Sequence, residues 1–120
     1  MPYVDGFIVP VPKNKLKDYA RLATIAGKVW IEHGAIDYHE CVADDVKPGK
    51  VTSFPQSVKL KAGETVIFSY AVYKSRRHRD QVLAKVMKDP RLASMMDPKK
   101  LPFDGRRMFW GGFKAFVELK

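Results

Sequence analysis

One stretch restricts the possible folds of this chain more than any other: Thr65-Val-Ile-Phe-Ser-Tyr-Ala-Val-Tyr73, followed at once by Lys74-Ser-Arg-Arg-His-Arg79. β-branched and aromatic residues dominate the first part, so it predicts a strand. Successive side chains of a strand point to opposite faces. Val66, Phe68, Tyr70 and Val72 therefore share one face, and Thr65, Ile67, Ser69, Ala71 and Tyr73 share the other. Neither face suits water. The strand needs cover on both sides, and two different covers must be found for it.

At 120 residues the chain is expected to form a single domain, residues 1–120, with one core. Hydrophobic residues make up 46% and aromatic residues 12%, which excludes a disordered polar chain. The net charge of +9 favours anionic partners in general, nucleic acid among them. The basic residues are nevertheless spread along the chain, and Lys74 to Arg79 is the densest patch. A single cysteine, Cys41, excludes an internal disulfide and fits a reducing compartment. Asp5, Pro10 and Pro12 interrupt the one apolar N-terminal run, so no signal peptide is read there. No run approaches the roughly 18 apolar residues of a membrane span. A cytoplasmic protein is expected.

In chain order, Tyr3–Val9 predicts a first strand that ends at Pro10-Val-Pro12, with Asp5 its one charged member. Asn14 is a plausible N-cap for a helix running to about His33, with Gly34 as its left-handed stop. Leu16, Tyr19, Leu22, Ala23, Ala26, Val29, Trp30 and His33 recur at helical spacing and form one apolar stripe. Ala35–Ala43 predicts a second strand, and Val51–Pro55 resumes or edges it. Ser75 caps a second helix with the stripe Val82, Leu83, Val86 and Met87. Asp89 and Pro90 open a short helix through Met96. Arg107–Leu119 predicts the last strand. The pair Gly111-Gly112 in its middle suggests a bulge, or backbone closely approached by another group.

Strand, helix, strand, strand, helix, strand is the order of the ferredoxin-like α+β plan, an antiparallel sheet of four strands with both helices on one face. Two helices leave the other face bare, and Phe109, Trp110 and Phe113 add apolar surface to the sheet. An apolar face of that size calls for a partner, and a second copy presenting the same face satisfies it. The expected assembly is a homodimer, a dimeric α+β barrel.

Several segments carry a resemblance. They are Tyr3–Pro12, Glu40–Asp45, Gly49–Pro55, Tyr73–Asp80, Asp89–Leu92 and Phe103–Lys114, the last reading Phe-Asp-Gly-Arg-Arg-Met-Phe-Trp-Gly-Gly-Phe-Lys. In order and nearly end to end, the chain resembles the YbaA-like bacterial family of unknown function. The resemblance implies a dimeric α+β barrel, similar in plan to the cofactor-free monooxygenases of antibiotic biosynthesis. It supplies no catalytic set, so the candidate sites rest on the residues themselves.

The basic first turn after Ser75 is unusual. Cations at a helix start oppose the dipole by roughly 0.3–1 kcal/mol each, and they make sense there if an anion docks. Ser75, Arg76 and Arg77, joined by Arg106 from the turn before the last strand, are therefore a candidate site for a carboxylate or phosphate. Long side chains splayed into solvent are the plainer account. A second candidate is a pocket between helix stripe and sheet lined by Trp30, Tyr70, Phe109 and Trp110. His33 or Asp5 would act there as general base, with His39 as a third choice. His39 and Cys41 share a strand face while Glu40 points away, so only two ligands converge and no metal site is expected. Without a Gly-rich phosphate loop or nucleotide fingerprint, no cofactor is expected either. Three functions remain open: small-molecule binding or cofactor-free catalysis on an anionic or aromatic metabolite; nucleic-acid binding by an exposed aromatic sheet face; or a non-enzymatic dimeric interaction or stress role. The first two compete for one surface, because dimerisation would bury the aromatic face.

Overall fold

A computed structural model describes residues 1–120. The long apolar stretch forms β3 (Glu64–Tyr73), one of two central strands. It pairs antiparallel with β1 (Tyr3–Pro12), with Tyr3 opposite Tyr73 and Pro12 opposite Glu64. β2 (Asp37–Val42) borders β3, and β4 (Phe109–Lys114) borders β1. The order β2-β3-β1-β4, all antiparallel, is the ferredoxin-like α+β sheet.

Helix α1 (Leu16–Glu32) follows a single 3-10 turn over Lys13–Lys15, and α2 is one turn over Phe54–Ser57. Helices α3 (Arg76–Val86) and α4 (Pro90–Met95) complete the set. The α1 stripe buries Tyr19, Ala23, Ala26, Val29 and Trp30, and α3 buries Val82 and Val86. They meet Val9, Val11, Ile67, Ala71 and Tyr73, the face of β1 and β3 that carries odd-numbered residues. Each fully buried Val stabilises the fold by about 1.5–3 kcal/mol. Ser75 caps α3 by accepting from the His78 amide at 3.1 Å, and Asp89 caps α4 by accepting from the Arg91 amide at 2.9 Å. Gly34 ends α1 with φ +117°, the left-handed region expected of it.

Four local expectations are corrected. Asn14 does not cap α1; it lies inside the 3-10 turn, and Lys15 occupies the cap position without a side-chain bond. Val51–Pro55 is not strand. Ser53 accepts from the Gln56 amide at 3.2 Å and Pro55 enters the first turn, so this segment winds into α2. Met87 lies beyond α3 and is exposed instead of extending its stripe. The last strand stops at Lys114, not Leu119. Lys114 faces Tyr3, and the Ala115 amide makes one more bond, to the Pro2 carbonyl, where the pairing runs out.

The opposite sheet face is covered at one end only. Val58, beside α2, packs on Ile8 and Val66. Over the rest, Phe68, Phe109 and Phe113 stand 44%, 47% and 66% exposed. His39 stacks on Tyr70 with ring centres 5.0 Å apart on this same face.

Candidate functional site

The site is built from β2. Its alternation turns Asp37, His39 and Cys41 to the bare face, and Tyr38, Glu40 and Val42 toward the helices, with Glu40 beside Ser69 of β3. From α1, the Tyr19 hydroxyl donates to Glu40 Oε1 at 2.7 Å; from β2 itself, the Tyr38 hydroxyl donates to Oε2 at 2.6 Å. Tyr38 is seated by Gly27 of α1: a Cβ there would lie 2.9 Å from the Tyr38 ring, so only glycine lets the ring approach the helix. The Trp30 ring packs against Tyr38 at 5.9 Å. Burial, and then the charge of Glu40, pushes both phenols above their ordinary range. They stay protonated, and act as donors.

Two cavities meet at this triad. One, of about 360 Å³, lies between the sheet, α1, α4 and the loop preceding β4, with Phe7, Leu22, Met95, Phe103 and Met108 among its walls. The other, of about 700 Å³, is an open cleft between α1 and β2. Tyr19, Ala23, Tyr38 and Glu40 line both. Glu40 is thus a carboxylate set in a largely apolar wall, reachable from either side.

A second polar cluster lies deeper. Asp5 is fully buried on β1 and accepts from the Tyr73 hydroxyl at 2.9 Å, which in turn accepts from the Trp30 indole at 3.0 Å. Arg79 Nε stands 3.4 Å from Asp5 Oδ1, and its Nη2 donates to the Tyr3 hydroxyl at 3.1 Å. Asp5 Oδ1 and Arg79 Nε have no hydrogen-bond partner, so the pair is held by charge. Burial raises the Asp5 pKa, opposed by the Tyr73 bond and the Arg79 charge. Gly112 is where Arg79 passes: a Cβ there would meet its guanidinium and the Tyr3 hydroxyl. The close approach expected at Gly111-Gly112 is this one.

The residues singled out from sequence are dispersed. Trp30 lines the smaller cavity, but Tyr70 and Phe109 belong to the other sheet face by register, so the expected grouping with Trp110 is not one pocket. Trp110 stacks on Phe7 at 5.9 Å on the helix-facing side. Asp5 and Trp30 are joined through Tyr73. His33 lies apart from them, bonded to Asp89 at 2.9 Å, and ties the end of α1 to α4. The Ser75 hydroxyl is engaged with the His78 amide; Arg76 lies 3.9 Å from Asp80; Arg77 is exposed. Arg106 belongs to a separate loop, where it bonds Asp104 at 3.3 Å. No group of three or more His, Cys, Asp or Glu side chains is arranged to hold a metal ion. Sequence reasoning missed Glu40 and Arg79. A carboxylate on the helix-facing side of β2 was the available signal for the first.

The fold defines the class: solved structures with the same arrangement are small α+β proteins of this sheet type. An uncharacterized NIPSNAP domain protein from Burkholderia xenovorans superposes with a TM-score of 0.55 at 11% identity, over 97% of this chain and 98% of its own. SnoaB, a cofactor-independent oxygenase from Streptomyces nogalater, gives 0.53 at 16% identity, over 98% and 96%. A dimeric ferredoxin-like protein from an uncultured marine organism gives 0.55 at 11%, over 100% and 99%. Likeness at these identities shows the fold alone. Sequence goes further. The profile of the family described as protein of unknown function (DUF1428) matches residues 2–105, and the chain belongs to that family. The uncharacterized protein YbaA of Escherichia coli K12 is 42% identical over 118 residues, 98% of this chain and 99% of that one. No helix is long and apolar enough to cross a membrane.

Proposed function

We propose that this protein is a homodimeric small-molecule-binding protein of the dimeric α+β barrel type. It takes an aromatic body into the cavity between sheet and helices and needs no cofactor to do so. The observation that carries the reading is Glu40, presented by two phenols at the wall of an apolar cavity. Ligand pockets are mostly apolar with a few converging polar groups that fix orientation. A carboxylate so placed accepts a hydrogen bond, or a proton, from whatever enters, while Tyr19 and Tyr38, each with its one hydroxyl hydrogen given to Glu40, hold that carboxylate in place. Between the anionic and aromatic ligands suggested by the sequence, the aromatic one suits this cavity, because an anion would meet Glu40 at close range. The exposed row Phe68, Phe109 and Phe113 supports self-association through the bare sheet face. That SnoaB is a cofactor-independent oxygenase, and that another fold neighbour is dimeric, agree with this reading.

The test is thermal or chemical denaturation in the presence of a neutral indole alcohol, tryptophol. At a hundred times its dissociation constant it should stabilise the fold by about 2.7 kcal/mol. Ala23→Leu fills space bordering both cavities and should remove the effect. Absence of any ligand stabilisation across a panel of neutral one- and two-ring aromatics refutes the reading.

A further inference from the structure

The charge around Glu40 identifies the chemistry of the ligand's head group. Every other carboxylate on a helix or strand has a basic side chain beside it. Asp5 has Arg79, Asp18 has Arg21, Glu32 has Arg91, Asp37 has His39, Glu64 has Arg107 and Asp80 has Arg76. Glu40 has two neutral phenols and no cation in contact. Half-buried in an apolar wall, it is an uncompensated negative charge in a chain of net charge +9. Lys28 and Glu32 line the outer cleft, and Glu32 is already bonded to Arg91 at 2.6 Å.

The acceptors at the site are also of one kind. Each Glu40 oxygen receives one phenol and keeps further lone pairs, and each phenol oxygen, having donated its hydrogen to Glu40, can still accept. An ammonium carries three donors and no acceptor, which complements this set. Aromatic faces of Tyr19, Tyr38 and Trp30 around it add cation–π attraction. Resting on the reading of the cavity given above, we infer that the ligand is an arylalkylamine, an aromatic ring bearing an alkylammonium group. Its protonated nitrogen sits on Glu40 between Tyr19 and Tyr38, and its ring lies in the cavity of about 360 Å³ against Phe7 and Phe103.

Calorimetric titration with three probes sharing one indole body tests this: tryptamine (cation), tryptophol (neutral) and indole-3-acetate (anion). The amine should bind at least about tenfold tighter than the alcohol, the low end for a hydrogen bond to a charged group, and the acid more weakly than both. Glu40→Gln should bring the amine to the level of the alcohol. Should that variant not fold, Tyr19→Phe with Tyr38→Phe strips the phenols but keeps the charge, and the amine preference should persist. Lys28→Met should leave the preference intact. If alcohol and amine bind equally, or if the preference survives Glu40→Gln, the amine assignment falls while the cavity reading stands. If none of the three binds, both fall.

Discussion

Replacing Gly112 by Ala probes the buried charge pair without touching either charge. The added Cβ would meet Arg79 Nη2 and the Tyr3 hydroxyl far inside the roughly 3.5–4 Å of ordinary contact. The guanidinium cannot simply swing into water. Its side chain is only 14% exposed, and it faces an Asp5 that is wholly buried. Something over an ångström of displacement breaks the 3.1 Å bond to Tyr3 and lengthens the 3.4 Å approach to Asp5. Loss of a hydrogen bond from a charged group costs about 1.5–3 kcal/mol, and overpacking a filled site costs about 1–3 kcal/mol. The two overlap, so a loss of about 2–5 kcal/mol is expected from urea unfolding. Gly105→Ala is the control, because its Cβ would find only Leu101 Cδ1 at 3.6 Å. Tyr3→Phe removes the hydroxyl but keeps the ring carbon Cε2 at 2.7 Å, and it already forfeits the Arg79 bond, so the double variant should lose less than the sum of the singles. A Gly112→Ala cost below about 0.5 kcal/mol, the scatter of ordinary surface substitutions, would refute the close-approach argument.

Three further outcomes follow from the same structure. Gly27→Ala should gain up to about 1 kcal/mol of helix propensity but displace Tyr38 from its seat. Net destabilisation by urea unfolding is expected, and a net gain would show the contact to be soft. Asp104 is held down at about 2, chiefly by the Arg106 amide, and Glu64 is held low chiefly by Arg107. Their folded pKa values lie below their unfolded ones, so the stability they contribute is present above about pH 4 and is lost as pH falls toward about 2. Arg107→Ala should flatten that part of a melting-temperature profile, whereas an unchanged acid limb would contradict the assignment. Phe68→Asp with Phe109→Asp puts charge on the bare sheet face and should give a monomer in sedimentation while far-ultraviolet dichroism is retained. A variant that still sediments as the unsubstituted protein does would place the contact elsewhere.

What was legible in the sequence was mostly local. The two faces of β3, the Ser75 and Asp89 caps and the Gly34 stop each depend on one or two residues and their immediate backbone. The sheet order then followed from the order of elements. What escaped depended on meetings between distant segments. Strand alternation alone turns Glu40 away from His39 and Cys41, but its partner Tyr19 lies 21 residues earlier on another element. Arg79 read as one more cation in a basic turn; only the packing of α3 against β1 brings it to Asp5, and only Gly112 on β4 leaves it room. The short α2 was missed for a different reason. The Ser53 cap and Pro55 were local signals, but the apolar Val51 and Phe54 suggested a strand edge.

The most direct measurement is a crystal structure of the protein grown with tryptamine. Density for the indole is expected between Phe7 and Phe103, with the amine nitrogen within about 3.2 Å of a Glu40 oxygen. Density on the bare sheet face or at the basic turn of Ser75–Arg79, with the cavity beside Glu40 left free of the ligand, would contradict it.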